Sequence, residues 1–166
     1  QIQQESYKRI DKKVKMVAAK ISAIPAIQPI KNKNLSMISS GYGMRLHPIH
    51  DSVRMHWGID FAAPKGTKIF ATGDGTVEFA GIRQDGYGKN VIINHGFGYK
   101  TLYAHMSKIN VHKGDKVKRK DHIGNVGSTG SSSGSHVHYE VMKNGQKIDP
   151  ASFFFEDLDY SEYRQM

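Results

Sequence analysis

The chain contains no cysteine. Disulfides and thiolate metal sites are therefore excluded, and any metal must be held by histidine and carboxylate groups. The same lack is compatible with an oxidising compartment without proving one. No apolar run is long enough to cross a bilayer, and no secretory signal pattern is present. The chain begins at Gln1 and not at methionine, as expected of a processed chain or a fragment, so neither absence speaks for a parent protein. Aromatic and basic residues do not interleave as they do in RNA-binding modules, and nucleic acid is not expected as a partner. Helical periodicity is missing between residues 35 and 150.

What remains is a chain of 166 residues, suited to one domain or a domain with an appendage. Its formal net charge is +9, which favours an anionic partner such as a membrane or an acidic wall polymer. The charge is uneven. Residues 1–33 hold eight Lys/Arg against two acids, whereas the tail from Ser152 holds Glu156, Asp157, Asp159 and Glu162 against Arg164.

The first segment has helical spacing. Tyr7, Ile10, Val14, Val17, Ile21 and Ile24 follow one another in steps of three and four, the seam of a coiled coil. So short a seam is not stable alone. It either docks on the rest of the chain or is the stub of a longer coiled coil. Pro25 and Pro29 stop it and open a linker to about Asn34. From Leu35 the texture changes to short β-branched and aromatic runs separated by Gly, Asp and Asn. Asp74-Gly75, Asp85-Gly86 and Asn144-Gly145 read as hairpin turns. Segments 64–81 and 111–127 share a pattern that hints at paired hairpin units. The expected fold is all-β, a small antiparallel sandwich or barrel-like domain with an N-terminal helix. The expected organisation is a helix and linker over 1–34, a β-domain over 35–151 and an acidic tail over 152–166.

The chain has nine histidines. His47, His50, His95, His112 and His122 lie in polar, turn-rich contexts and read as incidental surface residues. The others fall in patterns. In "HWGID", His56 and Asp60 share one face if the segment is a strand, with Gly58 leaving room between them. In "HVH", His136 and His138 share a face roughly 6.5–7 Å apart, while Val137 points into a core. The two pairs together offer more ligands than one zinc ion needs. A catalytic zinc takes three protein ligands and keeps a fourth position for water, whose pKa it lowers from about 15.7 to about 7. A surplus histidine, with His105 in "LYAHMS", is then free to move protons.

At this point the sequence resembles the lysostaphin/LytM-type zinc metallopeptidases, the bacterial peptidoglycan endopeptidases. The resemblance runs from Ser39 to Pro150, through "SSGYGMRLHPI", "HWGIDFAAPKGTKIFATGDGTV", "GYGKNVIINHGFGYKTLYAHMS", "KGDKVKRKDHIGNVGSTG" and "SGSHVHYEV". It implies that His56, Asp60 and His138 bind Zn2+ and that His105 and His136 are catalytic. It also implies peptidoglycan as the substrate and an extracytoplasmic, periplasmic or cell-envelope location. The family often has proline where this chain has Ser135, a change outside the implied ligand set. The neighbouring loop "GSTGSSSG" is expected to wall a substrate groove, with Tyr87, Tyr99 and Tyr103 as candidate lining residues, although tyrosines in strands are more often packing residues. Arg45 or Arg54 is a candidate for the peptide's carboxylate. The N-terminal helix is expected to serve a membrane anchor or a regulatory partner.

Two other readings compete. Degenerate relatives that activate cell-wall amidases behind a coiled coil lose ligands, whereas all five positions are filled here. Biotinyl or lipoyl carriers share the hairpin texture, but no lysine turn flanked by methionine is present, and the histidines would go unexplained.

Overall fold

The computed structural model describes residues 2–46 and 52–154. His47, His50 and the acidic residues from Glu156 onward lie outside the described residues. The N-terminal periodicity forms α1 (Ile2–Ala23). Its seam is uncovered: Tyr7, Ile10, Val14, Val17 and Ile21 are all exposed. The helix is fastened at its end. Arg119 donates to the carbonyls of Ile21, Ser22 and Ile24 at 2.8, 3.4 and 3.0 Å, satisfying groups that a helix terminus leaves free. The Asp74 N–H adds a bond of 2.8 Å to the Ser22 carbonyl. The proline segment differs from the expected linker. Ala23, Ala26, Ile27 and Ile30 are at most 5% exposed, because their side chains are apolar and the β-domain offers them a surface.

Thirteen strands follow among the described residues: β1 (Met37–Ser40), β2 (Gly43–Leu46), β3 (Val53–His56), β4 (Ile59–Ala62), β5 (Lys68–Phe70), β6 (Gly75–Arg83), β7 (Gly88–Gly96), β8 (Tyr99–Ala104), β9 (Lys108–Ile109), β10 (Lys116–Val117), β11 (His122–Asn125), β12 (His136–Lys143) and β13 (Gln146–Ile148). The main sheet runs β1-β4-β12-β8-β7-β6-β10, with β13 also on β12; a second sheet runs β5-β11-β9; β2 and β3 form a separate ribbon. The pairings are antiparallel, so the fold is the expected all-β one with an N-terminal helix.

Local chemistry explains much of this. Asn144 (φ 49°) and Gly145 (φ 80°) form the two-residue turn between β12 and β13, where both central residues need positive φ. Asp85-Gly86 lies in the β6–β7 turn. Asp74-Gly75 is not a hairpin, since β5 and β6 belong to different sheets. The two similar segments pair with each other, β5 with β11 and β6 with β10. Along β12, Val137, Tyr139 and Val141 are fully buried and face the core. Tyr103 and Tyr139 bury their rings there and bring their hydroxyls to Thr72 Oγ1, both at 2.9 Å, which satisfies polar tips that burial would otherwise penalise.

Candidate metal centre

Sheet register assembles most of the centre. β12 lies between β4 and β8, with His138 opposite Asp60 on one side and opposite Ala104 on the other. Asp60 therefore stands beside His138, and His105 follows directly at the end of β8. His56 arrives differently from expectation. It shares no strand with Asp60, because the chain breaks at Trp57-Gly58 between β3 and β4. Gly58 makes the crossing possible. A Cβ at that position would overlap the Tyr139 carbonyl oxygen and lie 2.9 Å from His138 Cε1.

Three donor atoms converge. His56 Nε2 lies 3.1 Å from His138 Nδ1 and 3.2 Å from Asp60 Oδ1, and His138 Nδ1 lies 2.8 Å from Asp60 Oδ1. Tetrahedral zinc with bonds of 2.0–2.1 Å places its ligand atoms about 3.3 Å apart, close to this triangle. The outer nitrogens fix the tautomers. His56 Nδ1 donates to the Gly41 carbonyl at 2.7 Å, and His138 Nε2 donates to Glu140 Oε1 at 3.0 Å. Lone pairs on His56 Nε2 and His138 Nδ1 then face each other and a carboxylate. Such a trio repels itself unless a cation joins it, so the residues fit a divalent metal.

The electrostatics agree. Burial favours the neutral Asp60 carboxyl, but the positive charge that a proton or a metal brings to the adjoining His138 and His56 nitrogens outweighs it and holds the group far below the usual carboxylate range. Burial likewise opposes charge on His138, yet the Asp60 and Glu140 carboxylates beside its two nitrogens favour the charged ring, outweigh burial and raise its pKa. Both shifts mark a site that draws positive charge.

Sequence reasoning missed Glu140. It is 1% exposed and sits two residues beyond His138 on the same strand face, the signal that would have found it. Its Oε1 accepts from Tyr87 at 2.7 Å, and Lys147 Nζ reaches its Oε1 at 3.1 Å and its Oε2 at 2.9 Å. Lys147 also donates to the Tyr87 hydroxyl at 3.0 Å. A buried carboxylate needs such partners, and this one holds the His138 ring in turn.

His105 and His136 face each other at the edge of the trio, with ring centroids 4.8 Å apart. His136 Nε2 lies 3.8 Å from Asp60 Oδ1. Both rings are oriented by the Gly/Ser loop. His105 Nδ1 donates to the Thr129 carbonyl at 2.8 Å, and His136 Nδ1 donates to the Gly134 carbonyl at 2.9 Å. In the neutral form of each ring this leaves the lone pair on Nε2. Burial pushes the His105 imidazole down to about 4, so it is neutral near pH 7. His105 holds a left-handed backbone (φ 60°) that its N–H bond to the Tyr87 carbonyl, 2.9 Å, helps maintain. The loop is pinned by glycine. Gly88 and Gly130 have φ of 62° and 76°, and a Cβ on Gly130 would lie 2.6 Å from the Gly88 nitrogen.

Other expectations fall differently. Tyr103 is a core residue and not a groove residue, fully buried by its bonds to Thr72 and Thr101. Tyr99 packs edge-on against Phe153. Tyr87 alone of the three adjoins the centre, its ring 5.8 Å from that of His138. His95 is not a surface residue: it is 6% exposed, with Nδ1 on the Asp74 carbonyl and Nε2 on Thr101 Oγ1. His112 is exposed, and His122 is half-buried against Phe70.

The arrangement is a buried candidate metal centre of two histidines and one carboxylate, with two oriented histidines at its rim. Residues 54–150 match the profile of Peptidase family M23, and the chain belongs to that family. It is 50% identical over 115 residues to the DD-carboxypeptidase/endopeptidase Mpg of Neisseria meningitidis, a match covering 69% of this chain and 26% of that protein. It is 45% identical over 114 residues to the peptidoglycan DD-endopeptidase ShyA of Vibrio cholerae, covering 68% and 26%. Among solved structures, a zinc-containing peptidase from Vibrio cholerae superposes with a TM-score of 0.65 at 39% identity, over 74% of this chain and 37% of that one. The chain spans about a quarter of the length of these two curated relatives.

Proposed function

We propose that this chain is a zinc-dependent endopeptidase that hydrolyses an amide bond in the stem or cross-link peptides of bacterial peptidoglycan, outside the cytoplasmic membrane. The observation that carries the reading is the convergence of three metal-fit donors beside two histidines of fixed tautomer. The family and the names of the relatives support the substrate class, and the D,D-cross-link is the bond favoured. His56 Nε2, Asp60 Oδ1 and His138 Nδ1 would hold the ion. When bound, zinc supplies Lewis acidity, lowering the pKa of water and polarising the scissile carbonyl.

The remaining work belongs to side chains. One of His105 and His136 accepts the proton of the attacking water at its unprotonated Nε2. The other, once protonated, delivers a proton to the leaving amine. As either ring becomes cationic, its Nδ1–H bond to a loop carbonyl strengthens and keeps the ring in place. Glu140 holds the His138 ring while this happens. Loss of ligands would mark an inactive activator, and here every position is filled.

Digestion of purified peptidoglycan, with and without chelator, tests the reading by mass spectrometry of the fragments. Chelator-sensitive release of uncrosslinked peptides is expected. Binding without release, or release indifferent to chelator, would overturn it.

A further inference from the structure

The ribbon of β2 and β3 places Gly43 opposite His56 and Arg45 opposite Arg54. Directly opposed residues share a face, as do positions two apart on one strand. Arg45, Arg54 and His56 therefore lie on one face of the ribbon. That face looks onto the centre: Arg45 Nη2 is 3.5 Å from Asp60 Oδ2, and His56 Nε2 is 3.2 Å from Asp60 Oδ1. Like charges directly opposite each other destabilise a strand pair, so this pairing works against the ribbon that carries it.

The fold does little to offset the repulsion. Among the described residues, Arg54 donates only to Ser52 Oγ, at 3.2 Å. Arg45 has the long contact with Asp60, the carboxylate a metal would claim. The nearby Glu140 is already matched by Lys147. With a divalent ion in place, the mouth of the centre carries a surplus of positive charge. Arg45 is one-third exposed by side chain and Arg54 is exposed, so an incoming anion reaches both. Guanidinium groups match the planar fork of a carboxylate better than a point cation does.

We propose that Arg45 and Arg54 form a subsite that seats a free carboxylate of the peptide substrate beside the scissile bond. The proposal rests on the reading of the chain as a peptidoglycan peptidase. A cross-linked peptide offers such groups of two kinds: carboxylates at its C-terminus and carboxylates on its side branches. Both present the same chemistry.

Three synthetic cross-linked peptides separate them: the free acid, the C-terminal amide, and the side-chain amide. For the zinc-loaded chain, amidation at the seated position is expected to lower kcat/KM by about 10- to 100-fold, mostly through KM, as loss of a charge-assisted pair predicts. Arg54→Gln touches no metal ligand and should bind zinc normally, yet it should lose most of that discrimination. Arg45→Gln should do the same, with zinc content measured alongside. Equal cleavage of all three peptides by the unaltered chain, or full discrimination by Arg54→Gln, would overturn the subsite. Were no peptide cut, the peptidase reading would fall. Calorimetric titration with the same peptides would still decide the subsite: tighter binding of the acid, lost in Arg54→Gln, supports it, and equal affinity for acid and amides refutes it.

Discussion

Replacing Gly58 by alanine tests whether close strand packing assembles the metal centre. The added Cβ would overlap the Tyr139 carbonyl oxygen and lie 2.9 Å from His138 Cε1 and 3.0 Å from Glu140 Cγ, where ordinary contact is 3.4–4 Å. The carbonyl cannot give way easily, since β12 is held on both sides by β4 and β8. The crossing from β3 to β4 must instead lift by roughly 1 Å, carrying His56 away from Asp60. Overpacking of this kind costs about 1–3 kcal/mol, and a backbone obstacle argues for the upper half of that range. Displacement of a ligand or of its supporting partner lowers metal affinity about 10- to 100-fold. Urea unfolding of the metal-free protein reads the first effect, and competition with a chromogenic chelator reads the second. Gly41→Ala, where the new Cβ meets nothing within 4 Å, is the control. If Gly58→Ala matched the unaltered chain in both measurements, the crossing would not be what builds the centre.

Glu140→Leu should weaken zinc binding about 10- to 100-fold in the same competition assay, and Glu140→Gln should restore part of the loss by keeping an acceptor for His138. His138→Ala should abolish zinc binding, whereas His105→Ala or His136→Ala should retain the metal and lose turnover by about 100- to 10,000-fold; full activity of His136→Ala would disprove the division of roles. Nitrogen NMR of the imidazoles should show Nδ1–H tautomers for His105 and His136, and Nε2–H tautomers would contradict the loop's role. Burial holds the His95 imidazole at about 4 against an ordinary 6.5. As pH falls between those values, the unfolded chain takes a proton that the folded chain refuses, so stability declines with acidification by up to about 3 kcal/mol. The stability advantage of the unaltered chain over His95→Gln should shrink accordingly between pH 7.5 and 4 in urea titrations; a constant gap would refute this.

The HVH pair was legible because strand alternation is a local rule, and β12 obeys it. The same rule extended by two residues reaches Glu140, which composition alone did not mark as a partner for His138. The pair in HWGID was legible as chemistry but not as geometry. Nothing in five residues announces that a chain leaves one sheet for another at Trp57-Gly58. His95 was misjudged because burial depends on which strands pair, and pairing spans distant segments. The roles of Thr129 and Gly134 were hidden for a deeper reason: they act through carbonyls, which every residue possesses.

That division between main chain and side chain has a consequence for how the loop tolerates change. The two rings are held by the Thr129 and Gly134 carbonyls, with the Ser132 hydroxyl 3.2 Å from His136 Nδ1, while no such contact ties the side chains of Ser131 and Ser133 to either ring among the described residues. A saturation mutagenesis scan should therefore be nearly silent at Ser131 and Ser133 and sharply punctuated at Gly130 and Gly88, where backbone meets backbone. The loop can change its outward side chains at Ser131 and Ser133 while the two imidazoles keep their orientation.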